Sequence, residues 1–207
     1  MTRAASSIAF LDASVLYPAL LRNILMRLAV QGVFRARWSA RVHDEWTEAL
    51  LRNRPDISAA NAVRIRALMD AHVQDALVEG YENRIASLVL PDADDRHVLA
   101  AAIHCSAHFI VTANLRDFPK PALKAFRIEP AHPDMFIARL LAAEPEAALA
   151  AFRRLRKALI NPPLATDDLL AGMARQGLTE SAGALQLLIR KADERFGDWM
   201  DEQTTQD

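Results

Sequence analysis

A three-layer α/β/α domain with a mostly parallel sheet, followed by a helical extension, is the fold class the sequence predicts. Two patterns predict it. Short apolar runs alternate with stretches of helical periodicity as far as about residue 132, and beyond that point only the helical period remains. The chain has 207 residues and is 52% hydrophobic, enough for one compact domain with a sizeable core and a small appended unit. The expected division is an α/β unit over 1–140, a helical extension over 141–200 and a disordered polar tail over 201–207.

The elements follow in order. Ile8-Ala9-Phe10-Leu11 is a short apolar run that stops at Asp12, as a buried parallel strand does when it delivers a carboxylate at its end. Leu20, Leu21, Ile24 and Leu28 then recur with helical spacing, and Pro18 is tolerated near the start of that helix. Residues 33–38 are a second strand candidate, and Ser39 is placed to cap a helix over 40–52. A helix over 58–74 is followed by a third strand candidate, 85–90, broken by Pro91. Asp92-Ala93-Asp94-Asp95 opens a helix running to about Cys105, with Asp94 its expected N-cap and acids in the first turn, where the helix dipole favours them. Residues 108–112 and 126–129 give the fourth and fifth strand candidates. Pro145, Asn161-Pro162-Pro163 and Gly177 divide the helical remainder.

Composition narrows the chemistry. Cys105 is the single cysteine, so neither an intramolecular disulfide nor a multi-cysteine zinc cage can form, and a reducing compartment fits. About four apolar residues precede Asp12, too few for a secretory h-region, and no stretch approaches the roughly 20 apolar residues of a membrane span. A cytoplasmic location is expected. Net charge is −1, so attraction of a polyanion would have to come from a local patch. Of the 25 basic residues 21 are Arg, a bias that codon usage also produces. Arg153, Arg154, Arg156 and Lys157 read as a solvated helix face, and the six histidines as surface or core polar groups.

The acids carry the functional signal. Function gathers at the carboxyl ends of parallel strands, where Asp12 and the Thr112-Ala113-Asn114-Leu115-Arg116-Asp117 segment both fall. Glu45 shares a helix face with Val42 and Ala49, and Asp95 shares one with Val98, Leu99 and Ala102. A carboxylate on an apolar face is costly unless paired or bound to a metal. No opposite charge is evident beside these four acids, so they should repel one another until a hard divalent cation joins them. Oxygen-only ligands suit Mg²⁺ or Mn²⁺, and the matching chemistry is attack of an activated water on a phosphodiester.

The strand-end Phe10-Leu11-Asp12-Ala13-Ser14, the mid-helix Glu45, the Asp92-Ala93-Asp94-Asp95-Arg96-His97-Val98-Leu99 stretch and Val111-Thr112-Ala113-Asn114-Leu115-Arg116-Asp117-Phe118-Pro119 resemble the PIN-domain ribonucleases. Within that family the similarity is to VapC-like toxins of type II toxin–antitoxin pairs, over roughly residues 8–140, and the helical region after 145 looks like the extension of longer members. The resemblance implies a PIN-like fold and an Mg²⁺- or Mn²⁺-dependent ribonuclease. Asp12, Glu45, Asp95 and Asp117 take the acidic metal-site positions. Ser14, Thr112 and Asn114 are the polar support, Ser14 standing where the family often has Thr or Asn. Asp92 or Asp94 can share the ligand role with Asp95. It implies an RNA substrate, a cognate antitoxin protein whose segment covers the acidic cleft, and a homodimer.

Three rival readings stand beside this one. A haloacid-dehalogenase-type phosphatase would want a second Asp at position 14, where this chain has Ser. A catalytically silent PIN-like module binding RNA or protein would have no need of all four acids. A nuclease without an antitoxin is indistinguishable in sequence.

Overall fold

The computed structural model describes residues 7–158 and 165–196. Five short parallel strands form one sheet in the order β3-β2-β1-β4-β5. The middle strand, β1 (Ile8–Leu11), pairs with β2 (Arg35–Ser39), Phe10 opposite Arg37, and with β4 (Phe109–Val111), Leu11 opposite Val111. The edges are β3 (Leu77–Val78), beside β2, and β5 (Glu129–Ala131), beside β4. Flanked on both sides and covered on both faces, β1 buries Ala9, Phe10 and Leu11 completely, which is what an uninterrupted apolar run encodes.

Helices connect the strands. After β1 come α1 (Ala13–Leu16) and α2 (Ala19–Val30), with Pro18 just before the second. The buried Arg22 donates to the carbonyls of Leu16 at 2.6 Å and Tyr17 at 3.2 Å and lies over the Trp46 ring, so a guanidinium satisfies the open carbonyl end of α1 and fixes the turn after the first strand. Ser39 caps α3 (Ala40–Asn53) by accepting from Val42 N at 3.3 Å, and Ser58 caps α4 (Ala59–His72) in the same way.

A polar network staples these two helices to β2. Trp38 Nε1 and His43 Nε2 both donate to Asp70 Oδ1, at 2.8 and 2.9 Å, while His43 Nδ1 accepts from Trp46 Nε1 at 3.0 Å. These partners fix the His43 tautomer, and burial holds its pKa below the ordinary value.

Three sequence expectations shift here. Residues 85–90 do not form the third strand; residues 82–87 are a short 3₁₀ helix (Glu82–Ser87). Leu88 and Leu90 are buried and Val89 is 78% exposed, the alternation of an extended segment, but the outer edge of β2 is already taken by β3. The fifth strand begins at Glu129 rather than 126, because Phe126 and Arg127 belong to the turn that ends α6 (Lys120–Lys124). Finally, α5 (Arg96–His104) starts after the acidic run. Its N-cap is Asp95, not Asp94, and the Asp94 N–H is held by Asp92 Oδ1 at 2.8 Å in a local turn.

The chain then runs through α7 (Pro133–Ala143), α8 (Pro145–Ala158), α9 (Thr166–Arg175) and α10 (Thr179–Phe196). Gly177, at φ +75°, closes α9, with Leu178 N reaching back to Met173 O. α8 packs on α2 and α10 on α7. The buried Asp134 of α7 accepts from Glu180 N at 3.0 Å and from Ser181 N and Oγ at 2.7 Å each, capping α10 from another helix. Burial alone would raise the Asp134 carboxyl, and these bonds more than offset it, leaving it below its ordinary value. Arg156 reaches Thr166 at 3.3 Å, so the basic stretch of α8 is not wholly given to solvent. The Asn161-Pro162-Pro163 break and the tail expected over 201–207 lie outside the described residues. Among the described residues no helix is long and apolar enough to cross a membrane.

Candidate metal centre

Asp12 follows β1 directly, and its N–H still bonds to Val111 O at 3.1 Å, which places the side chain at the carboxyl edge between the two central strands. Oδ1 accepts from Ala13 N at 2.8 Å, making Asp12 the cap of α1. Oδ2 accepts from Ser14 Oγ at 2.6 Å and Thr112 Oγ1 at 2.8 Å. Each hydroxyl accepts in turn from a backbone N–H, Ser14 from Ala113 at 3.0 Å and Thr112 from Asn114 at 2.9 Å. Both hydroxyl protons are therefore committed to Asp12, and the carboxylate has no freedom to turn. Of its roughly four lone-pair positions three are used, and the one left is on Oδ1. Asp12 is buried, and among the described residues no cationic side chain pairs with it. A buried charge held only by neutral donors is the environment a metal ion relieves.

Asp95 occupies the N-cap position of α5 without making a capping bond. Burial first, then the charges of Asp12, Asp117 and Asp92, push its carboxyl up to about 6, against a smaller opposing effect of His97. Asp117 ends the loop after β4, its N–H on Asn114 O at 3.1 Å, and has only a loose partner, Arg116 Nε at 3.7 Å. Asp12, Asp95 and Asp117 thus share one electrostatic neighbourhood. Asn114 reaches it through its backbone N–H, which donates to Thr112 Oγ1, and its side chain is exposed. Asp92 and Asp94 are exposed.

Glu45 differs from the sequence expectation. Its side chain is 36% exposed, at the margin of the buried face, and it does have opposite charge beside it: Oε1 accepts from His97 Nε2 at 2.8 Å and from Arg41 Nε, one turn back, at 3.4 Å. Arg41 was readable at the i−4 position. His97 was missed, because a histidine among the apolar residues of a helix gives no hint of a partner on another helix. Its ring is 1% exposed and its Nδ1 has no partner, so Glu45 is its one polar contact among the described residues.

As the side chains stand, no three His, Cys, Asp or Glu residues among those described converge closely enough to hold one ion. The donor set still fits a hard cation. It is all oxygen, it contains one rigid buried carboxylate with an open lone pair, and its acids lie near enough for their charges to raise the proton affinity of Asp95.

The family model of the PIN domain matches residues 9–116, just over half of the chain. The chain belongs to the PIN-domain family. Its PIN match contains Asp12, Ser14, Glu45, Asp95, Thr112 and Asn114 and stops one residue before Asp117. A second family model, the VapC50 C-terminal domain, matches residues 133–187. A protein of Mycobacterium tuberculosis named "Putative ribonuclease VapC50" is 40% identical over 101 residues, 49% of this chain and 59% of the relative. The chain therefore covers less than two thirds of that relative's length. No solved structure matches it.

Proposed function

We propose that this PIN domain is a metal-dependent endoribonuclease, Mg²⁺ or Mn²⁺ its cofactor, acting as the toxin of a toxin–antitoxin pair. The observation that carries the reading is Asp12: a buried carboxylate at the edge of the central strands, held by two hydroxyls and a backbone N–H, without a cationic partner among the described residues and within the field of Asp95 and Asp117. The name of the mycobacterial relative supports ribonuclease chemistry, and the match to a VapC50 C-terminal domain supports the toxin assignment. The division into a nuclease unit over 1–140 and a helical extension after it belongs to the same proposal.

Asp12, Asp95 and Asp117 would hold the cation, with Glu45 as the fourth acid. When bound, the ion supplies charge stabilisation at the phosphate and acidifies the attacking water. Ser14 and Thr112 fix the orientation of Asp12, so little reorganisation is needed there. His97 holds Glu45 by its Oε1, leaving Oε2 to orient a water or ligate the ion. Asn114, whose N–H donates to Thr112 Oγ1, would add to the polar support that orients the acids or a bound water. A cognate antitoxin would silence the enzyme by covering the acidic cleft, with a cationic side chain inserted among the carboxylates. A homodimer and a cytoplasmic location complete the reading.

Purified protein incubated with RNA and Mn²⁺ should release fragments, and neither EDTA-treated protein nor Asp12→Asn should. Folded protein that binds Mn²⁺ yet cleaves no RNA would overturn the enzyme reading in favour of a silent binding module.

A further inference from the structure

We infer that a basic groove along the β5 edge of the sheet binds the phosphate backbone of a single-stranded RNA segment extending from the metal centre. This rests on the ribonuclease reading and deepens it. The groove, a cavity of about 590 Å³, is lined by Lys120 and Lys124 of α6, by Arg127, and by Glu129 and Pro130 of β5. All three cations are exposed, and among the described residues none has an ion-pair partner. The one acid in the lining, Glu129, is neutralised by Arg139 at 2.8 Å. A molecule of net charge −1 therefore carries a local surplus of three positive charges in a single depression.

Its position relative to the carboxylates follows from the topology. Asp117 precedes Lys120 by three residues, so their Cα atoms are within about 11 Å of each other. From there α6 runs back along the outer side of the sheet, and Arg127 lies in the turn before β5 begins at Glu129. The line Lys120, Lys124, Arg127 thus leads away from the site down the sheet margin. Phe126, in the same turn and next to Arg127 in the chain, is 39% exposed and so accessible to a base. Cations spaced along a groove with an aromatic ring beside them are the elements of single-strand binding, phosphates on the cations and a base on the ring. The edge does not invite strand addition instead, since Pro130 has no N–H to offer.

The test is fluorescence anisotropy of a labelled mixed-sequence RNA oligonucleotide, in EDTA to prevent cleavage, across a salt series. The proteins are the parent, Lys120→Gln/Lys124→Gln/Arg127→Gln, and a control of equal charge change on exposed arginines elsewhere, Arg52→Gln/Arg64→Gln/Arg84→Gln. The groove variant should bind at least about tenfold more weakly and reduce the slope of log K against log salt by about 2, three phosphates at about 0.7 each. The control should change the slope by less than half as much. Phe126→Ala should lower affinity by roughly five- to hundredfold with the salt slope kept, and an RNA duplex should lose less than the single strand. A groove variant indistinguishable from parent, or from the control, overturns the proposal and assigns the cations to another anionic partner, such as an acidic protein segment. RNA cleavage by the parent with Mn²⁺, measured in parallel, separates the two readings. Cleavage without groove dependence sinks the groove alone, and groove-dependent binding without cleavage sinks the nuclease alone.

Discussion

Replacing Asp95 with Asn should make the metal-free protein more stable while removing a ligand of the proposed metal centre. Burial and the neighbouring carboxylates raise Asp95 from 3.8 to about 6. At ~1.4 kcal/mol per tenfold change in proton affinity, that interval bounds the penalty of ionising it at about 3 kcal/mol. The group is only half-buried and solvent screens it, and Asn gives up the helix-dipole attraction of an N-terminal carboxylate, so a net gain of about 1 kcal/mol is expected. No capping bond is lost, because Asp95 makes none. The sign follows from proton counting. Between 3.8 and about 6 the folded protein binds the Asp95 proton more tightly than the unfolded chain does, so stability falls as pH rises through that window. The gain from Asp95→Asn should be complete above pH 6, about half as large at pH 5 and absent below about 3.8. Thermal unfolding in EDTA reads this as a Tm increase of roughly 3 °C at pH 7.5. A variant less stable than the parent at pH 7.5, or a gain independent of pH, would refute the shared carboxylate field.

Four further outcomes follow. Mn²⁺ at a hundredfold excess over its dissociation constant should stabilise the parent by about 2.7 kcal/mol in thermal unfolding and leave Asp12→Asn unmoved; equal shifts in both would place the ion elsewhere. His97→Ala should lower kcat/KM for RNA roughly tenfold to a hundredfold by releasing Glu45, and His97→Gln, which keeps a donor, should recover part of it; no recovery would mean that the ring matters only for packing. Asp134→Ala exposes the N-terminus of α10 and should cost about 2–3 kcal/mol in urea denaturation, with RNA cleavage at low temperature intact. Burial lowers the His43 pKa, so its contribution to stability is present above pH 6.5 and is lost as pH falls below it; His43→Gln should flatten that part of the pH profile, and an unchanged profile would exclude the buried His43 ring as its cause.

How much of this could be read in the chain depends on sequence separation. The run 8–11 became the central strand because four apolar residues ending at Asp12 admit few alternatives, and Ser39 capped its helix because that interaction spans three residues. The loop carrying Thr112 and Asp117 was placed by its position after a strand. The third strand was misplaced because Leu88 and Leu90 are as buried as strand residues are, and only the pairing of Trp38 with Leu77 shows which segment joins β2. The His97–Glu45 bond, the Asp134 cap on α10 and the Trp38–Asp70–His43 network join residues 27 to 52 positions apart, and nothing local marks either partner. The basic groove escaped notice because its cations are spaced over eight residues of a chain that is nearly neutral as a whole.

The central claim is that Asp12 anchors a metal-dependent hydrolytic site. The most direct measurement is the rate of RNA cleavage by the purified protein with Mn²⁺, after EDTA, after Mn²⁺ is restored, and for Asp12→Asn with Mn²⁺ present. Fragments that vanish with EDTA, return with Mn²⁺ and never form with the variant are the predicted result. Cleavage that survives EDTA, or that Asp12→Asn retains at the parent's rate, would contradict it.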